Sequence, residues 1–237
     1  MEKNEILREL HSFSTPQKAK NATRFFKIGD KSYSAGDVFI GVTIPEIRKI
    51  AKKHFTINYH TLAQILASKI HEERMLALII LTEKFAKFQN ERGKIIDFYL
   101  ESTNLDFVNN WDLVDATAYK ILGEFLLLND EKIKILENLA NSSNIWHKRI
   151  AIVATLAFIR KNQFENTVKI TNILLNQELH DLLQKAIGWM LREIGKKNKE
   201  FLLDFLRLNH SKMPKITFAY ATENLTHIEK NEIKGNV

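Results

Sequence analysis

The chain repeats one pattern in the segments ERMLA (73–77), KRIAI (148–152) and QKAIG (184–188). Each segment places two polar residues, the second of them a cation, at the start of an apolar stretch with helical spacing. VDATA (114–118) fits the same slot with a carboxylate in place of the cation. The slot recurs at intervals of 34 to 41 residues. That period is typical of helical-hairpin repeats, in which each hairpin buries its apolar face by stacking on the next.

Turn-forming residues are scarce, since the 237 residues include only three prolines and eight glycines. Such a composition is unsuited to a many-stranded β fold and typical of long helices joined by short loops. We therefore predict an all-α protein, an α-solenoid of HEAT-like helical hairpins whose inner helices line one concave face. The array is expected to form a single domain over 1–237, with N-terminal helices and a loop in 1–41 leading into it.

Helix boundaries follow from apolar spacing and from capping signals. Thr15 before Pro16 and Thr43 shortly before Pro45 are typical helix starts, and the clearest loop runs from residue 29 to residue 41. The predicted helices span 3–12, 16–27, 44–54, 60–69, 72–88, 92–101, 112–128, 131–140, 145–161, 165–176, 180–196, 199–209 and 212–223.

The composition excludes several kinds of chemistry. Cysteine is absent, which excludes disulfides, thiolate metal ligands and a cysteine nucleophile. The eight histidines are scattered and none forms the i, i+4 pair of a zinc helix, so we expect no metal site. No apolar run approaches the roughly 18 residues of a membrane span, and the charged N-terminus lacks a signal peptide's apolar block. We expect a cytoplasmic protein with no membrane partner.

Positive charge predominates, with 35 Lys and Arg against 28 Asp and Glu. This excess suits a protein that meets a polyanion, but many basic proteins bind none, and charge alone leaves nucleic-acid binding open. Arg74, Lys148 and Lys185 occupy the repeated slot and are candidates for following a duplex backbone. Each of them taken singly is more typical of a solvated helix face.

Two tryptophans lie one helical turn from an ionisable residue. Trp111 stands four positions before Asp115, and Trp189 stands four positions after a lysine, so each pair shares a helix face. Tryptophan is most often a core residue, and Asp115 could equally form an ion pair with Arg149 that joins two repeats. Asp112, in the first turn of the same helix, is assigned to capping and the helix dipole. Spacing alone therefore leaves packing and function open.

The resemblance to a known family rests on these segments: FIGV (39–42) with PEIR (45–48), WDLVD (111–115), NIWHKR (144–149) and KAIGWMLRE (185–193). They resemble the signature segments of the AlkD-type DNA alkylation repair family, whose members are bacterial DNA glycosylases built from HEAT-like repeats. The resemblance runs in the family's order from about residue 39 to residue 198.

The resemblance implies a catalytic cleft on a concave, DNA-binding face, formed by Trp111, Asp115, Arg149 and Trp189. The implied reaction is hydrolysis of the N-glycosidic bond of cationic 3- or 7-alkylpurines in double-stranded DNA, by a bacterial, nucleoid-associated monomer without a cofactor. Asn110 stands where some relatives carry another tryptophan, and Val-Thr-Ile before the second proline lacks a polar amide found in relatives. These departures bear on lesion preference.

Two other functions stay open. A non-catalytic HEAT-repeat protein would bind distorted or branched DNA through the same basic surface and would not need Asp115. A protein-interaction scaffold would bind acidic partners on its concave face and show no preference for nucleic acid.

Overall fold

The computed structural model describes residues 2–26, 33–34 and 36–235. Most of these residues are helical, and within them no β-strand forms beyond an isolated bridge between Val38 and Ile70. The predicted all-α class is therefore confirmed. No helix in the described ranges is long and apolar enough to cross a membrane.

The helices are numbered along the chain. A π-helical turn, Tyr119–Gly123, follows α7, and short 3₁₀ turns precede α6, α9 and α15. The α-helices are α1 (Glu2–His11), α2 (Pro16–Phe25), α3 (Ile44–Lys53), α4 (Tyr59–Leu66), α5 (His71–Lys87), α6 (Arg92–Asn104), α7 (Trp111–Ala118), α8 (Glu124–Leu126), α9 (Lys134–Ala140), α10 (Ile145–Ala154), α11 (Leu156–Arg160), α12 (Glu165–Leu175), α13 (Asp181–Lys197), α14 (Lys199–Asn209), α15 (Lys215–Ala221) and α16 (His227–Ile233).

Most predicted helices lie within three residues of these bounds, with three differences. The helix predicted over 112–128 consists of α7, the π-helical turn and α8. The helix predicted over 145–161 is divided at Thr155, whose hydroxyl donates to the Ile152 carbonyl at 2.7 Å and so competes with the regular backbone pattern. Helix α16 was not predicted. Of the predicted loop and the helix before it, residues 27, 29–32 and 35 lie outside the described residues.

The chain divides into two compact units, Met1–Thr117 and Ala118–Val237. In the first unit α5 is central and packs against α3, α4 and α6. In the second unit α13 is central and packs against α10, α14 and α15. The segments ERMLA, KRIAI and QKAIG lie in α5, α10 and α13, so the repeated pattern marks buried helices. The single domain expected over 1–237 stays a prediction.

Segment 36–41 is docked on the start of α5 in the first unit. The Val38 N–H donates to the Lys69 carbonyl at 3.0 Å, and the Val38 carbonyl accepts from the His71 N–H at 2.9 Å. The buried Glu72 carboxylate accepts from the N–H of Gly41 at 2.7 Å. Gly41 has φ +79, and a Cβ there would lie 2.4 Å from backbone atoms of α2 and its N-cap. Only glycine fits this position.

Helices α13 and α15 approach closely at Gly188. A Cβ added to Gly188 would lie 2.5 Å from the Tyr220 Cβ and 2.6 Å from the Thr217 carbonyl oxygen. Both distances are shorter than van der Waals contact, so any side chain at this position must push the two helices apart.

We expect Gly188→Ala to lower the free energy of unfolding by about 1 to 3 kcal/mol, because the added methyl overpacks the α13–α15 contact. Gly93→Ala in α6 is the matched control, since nothing lies within 4 Å of its added Cβ. The control should be neutral or stabilising by up to about 1 kcal/mol. Urea unfolding followed by circular dichroism measures both, and equal stability of the two variants would contradict the close approach.

Candidate functional site

Trp111, the first residue of α7, belongs to an aromatic cluster in the first unit. Its indole stacks on Phe26 with centroids 5.4 Å apart and meets Phe25 edge-on at 5.8 Å. Phe26 stacks in turn on Phe39 at 4.8 Å. Trp111 is half-buried, whereas Phe25 is 65% exposed. The cluster therefore holds the indole by packing and leaves part of it accessible.

Asp115 lies one helical turn after Trp111 and is half-buried. The fully buried Tyr99 lies near it, with its hydroxyl 3.2 Å from the Thr117 hydroxyl. Burial raises the pKa of Tyr99, and the charge of Asp115 raises it further. The phenol is therefore neutral at physiological pH, and Asp115 has an uncharged neighbour on this side.

A buried charge network connects the first turn of α7 to the start of α5. The Asp112 Oδ2 lies 2.8 Å from the His71 Nε2, and the His71 Nδ1 lies 3.3 Å from the Asp37 Oδ2. The other Asp37 oxygen accepts from the Arg74 Nη2 at 2.7 Å. The side chains of His71 and Asp37 are only 3% and 6% exposed. Two carboxylates and two cationic groups thus share one buried cluster.

The network determines the charge of its members. Burial alone would lower the pKa of His71, but the hydrogen bonds to Asp112 and Asp37 and the charge of Asp112 outweigh it and raise the pKa to about 9. Burial would raise the pKa of Asp37, but hydrogen bonds from His71, Arg74 and Asn110 and the charge of Arg74 lower it overall. At neutral pH the imidazole is therefore cationic and the Asp37 carboxylate ionised.

Arg74 is part of this network rather than of the surface. The residue is 4% exposed, and its guanidinium donates to the Ser68 carbonyl at 3.1 Å as well as to Asp37. Both groups that bind the guanidinium lie in the first unit, and the Asp37 carboxylate already pairs with its charge. The placement gives no support to the predicted DNA contact, and we assign Arg74 to the packing of the first unit.

The other predicted site residues lie in the second unit. Arg149, on α10, is 5% exposed and its Nη1 donates to the Leu182 carbonyl. Trp189, on α13, is half-buried and its Nε1 donates to the Glu193 carboxylate at 3.1 Å. Lys148 and Lys185 are partly exposed. Both the guanidinium of Arg149 and the indole of Trp189 are therefore oriented by hydrogen bonds.

The structure brings together Trp111 and Asp115 on α7, with a supporting network that the sequence analysis missed. The available signal was the run HEER (71–74), four consecutive ionisable residues that are all buried. Asp112 does accept from the Leu113 N–H at 2.8 Å, but its bond to His71 was not foreseen. Among the described residues no group of His, Asp and Glu is arranged to hold a metal ion.

We expect Asp37→Asn to lower the free energy of unfolding by about 3 to 5 kcal/mol, because it removes the anion between two buried cations. Urea unfolding at pH 7 measures this decrease. Asp106→Asn is the control, since Asp106 is exposed and its left-handed backbone, φ 59, also suits asparagine. The control should stay within about 0.5 kcal/mol of the parent protein. A parent-like unfolding midpoint for Asp37→Asn would contradict the network.

Stability should also depend on pH through His71. Because folding raises its pKa from an ordinary 6.5 to about 9, its contribution is complete below pH 6.5 and is lost as the pH rises through 9. The full contribution is on the order of 3 kcal/mol. Urea unfolding of the parent protein and of His71→Gln between pH 6 and 10 measures it. We expect the stability difference between the two proteins to shrink across this range, and a constant difference would count against the protonated ring.

Comparison with known proteins identifies the family to which this chain belongs. A solved structure described as a predicted DNA alkylation repair enzyme from Enterococcus faecalis has the same fold, with a TM-score of 0.68 at 20% identity. The alignment covers 90% of this chain and 97% of that chain. A search among curated proteins gave no match. The family model for DNA alkylation repair enzymes matches residues 6–225, nearly the whole length, and the chain therefore belongs to the DNA alkylation repair enzyme family.

Proposed function

We propose that this protein is a DNA glycosylase that acts on cationic alkylated purines, of the 3-methyladenine and 7-methylguanine type, in double-stranded DNA. It would hydrolyse the N-glycosidic bond and so begin base excision repair. The observation that carries the proposal is the pair on α7: a half-buried carboxylate, Asp115, one turn from a half-buried, packed indole, Trp111. Membership of a DNA alkylation repair family supports it.

One carboxylate is sufficient for this chemistry. Alkylation at N3 or N7 makes the purine cationic, so the base departs as a neutral molecule and needs no general acid. As the bond breaks, the deoxyribose gains oxocarbenium character, the charge that carboxylates stabilise in glycoside hydrolases. Asp115 would stabilise this charge and orient a water molecule toward C1′.

The two indoles suit a cationic substrate. The faces of Trp111 and Trp189 would flank the sugar and the lesion, and each cation–π contact is worth roughly 0.5 to 2 kcal/mol. Packing against Phe26 and the bond from the Trp189 Nε1 to Glu193 hold the rings before substrate arrives. Rings that are already positioned need less ordering in the transition state.

Basic residues of the second unit would hold the DNA backbone. Arg149 would bind the phosphate next to the lesion, and its bond to the Leu182 carbonyl would orient the planar donor fork. Lys148 and Lys185, both partly exposed, would neutralise phosphates on either side. In this proposal the hairpins form a HEAT-like solenoid whose inner helices, α5, α10 and α13 among them, line a concave face for the duplex. The protein would act as a monomer in the bacterial cytoplasm, at the nucleoid, without a cofactor.

The decisive experiment incubates the protein with a duplex that contains N7-methylguanine, in the presence of a chelator, and measures free base. We expect release by the parent protein and a decrease of at least about 100-fold in Asp115→Asn, with duplex binding retained. Asp97→Asn, an exposed carboxylate of α6 in the same unit, is the matched control and should keep the parent rate.

Each of the other possible outcomes would contradict part of the proposal. Unchanged release by Asp115→Asn would remove this carboxylate from the mechanism. Binding without release by the parent protein would favour a non-catalytic protein for distorted or branched DNA. Failure to bind DNA even at low salt would favour a protein-interaction scaffold.

The salt dependence of DNA binding tests the lysines. Removing one lysine that neutralises a phosphate lowers the slope of log K against log salt concentration by about 1. We expect this change for Lys148→Ala and for Lys185→Ala, measured by fluorescence anisotropy with a labelled duplex. Lys134→Ala, an exposed lysine of α9, should leave the slope unchanged. Equal slopes for all three variants would rule out the proposed phosphate contacts.

A further inference from the structure

We propose that His71 is a positioning residue for the excision reaction. Its imidazole, held between the carboxylates of Asp37 and Asp112, fixes the first turn of α7 and with it Trp111 and Asp115. This inference rests on the proposed function, and its test separates the two.

The geometry requires both ring nitrogens of His71 to donate. Nε2 lies 2.8 Å from an Asp112 oxygen, and Nδ1 lies 3.3 Å from an Asp37 oxygen. An ionised carboxylate can only accept, so a ring between two carboxylates carries a proton on each nitrogen. The facing charged groups are Asp37 from segment 36–41, Arg74 from α5 and Asp112 from α7. The ring is therefore a cationic link between α5 and α7.

The same cluster holds the backbone on both sides of Trp111. Before it, the Asn110 Nδ2 donates to Asp37 at 3.1 Å, and the Asn110 Oδ1 accepts from the Trp111 N–H at 2.8 Å. After it, Asp112 binds His71. Asn110 is fully buried, so its amide has no water to replace these partners. The two neighbours of Trp111 in the chain are thus both hydrogen-bonded to the His71–Asp37 pair, Asn110 through Asp37 and Asp112 through His71.

The histidine also belongs to the ring cluster that contacts Trp111. The His71 ring stacks on Phe39 at 4.7 Å and lies 5.1 Å from Phe26. Phe26 in turn stacks on Trp111. Removal of the imidazole would therefore disturb both the backbone and the side-chain support of the indole. Asp115, one turn further along the helix, would move with it.

The first test measures single-turnover release of 7-methylguanine by His71→Gln at pH 7. We expect a fall of about 10- to 100-fold, the scale of a displacement on the order of 1 Å at a reacting centre. Binding of undamaged duplex should change by less than about twofold, because the proposed phosphate contacts lie elsewhere. His60→Gln is the control, since His60 is an exposed histidine of α4 in the same unit.

A pH profile separates positioning from a merely structural role. Release by the parent protein should fall with an apparent midpoint near pH 9 as His71 loses its proton. The His71→Gln variant should lack this step. The indole N–H resonance of Trp111, identified by its absence in Trp111→Phe, should shift with the same midpoint in the free protein.

A second variant covers the possibility that His71→Gln fails to fold. Asp112→Asn weakens only the link to α7 and leaves the Asp37–Arg74 pair in place, and we expect the same decrease in release. Parent-like release by a folded His71→Gln, or by Asp112→Asn, would overturn the positioning role while the proposed function stands. Absence of release by the parent protein would instead overturn the proposed function and the positioning role with it.

Discussion

The buried carboxylate of Asp37 is the interaction on which the described part of the first unit most depends. It accepts hydrogen bonds from Arg74 and His71 on α5 and from Asn110 just before α7. Removing a carboxylate from water costs several kcal/mol unless charged partners replace the solvent. Once Asp37 is enclosed, its donors must therefore stay in place, and α5, α7 and segment 36–41 are held in one arrangement. The candidate catalytic carboxylate, Asp115, lies on α7 and is therefore held in place by the same hydrogen bonds.

Apolar packing and buried charge have different roles around α7. Apolar contacts between helices are non-directional and tolerate sliding, whereas hydrogen bonds to a buried ion require defined distances and angles. The aromatic cluster buries apolar surface of Trp111, and the polar network fixes the orientation of the first turn of α7. In the second unit hydrogen bonds orient Arg149 and Trp189. The proposed reaction would pass through a short-lived cation. Groups that are already oriented stabilise such a cation well, because they need not reorganise when the charge develops.

The sequence alone predicted the features that depend on local spacing. The segments ERMLA, KRIAI and QKAIG predicted buried helices because apolar periodicity is a local property, and the i, i+4 spacing put Trp111 and Asp115 on one helix face. The π-helical turn and the break at Thr155 were missed, because both are departures from regular helix that periodicity does not register. Asp37 and His71 lie 34 residues apart, and no pattern pairs them. Arg74 was predicted to contact DNA because it occupies the repeated slot. Its counterion, Asp37, lies in a segment without periodicity, so no pattern predicted this buried pair.

The docking of segment 36–41 has an evolutionary consequence. A segment attached mainly through apolar contacts can change residue by residue, since one aliphatic side chain substitutes for another at little cost in stability. Segment 36–41 is attached through a carboxylate that neutralises two buried cations and through a glycine with a left-handed backbone. Asp37 therefore cannot drift independently of Arg74 and His71. Relatives that share this arrangement should exchange the three residues together, as one inherited unit.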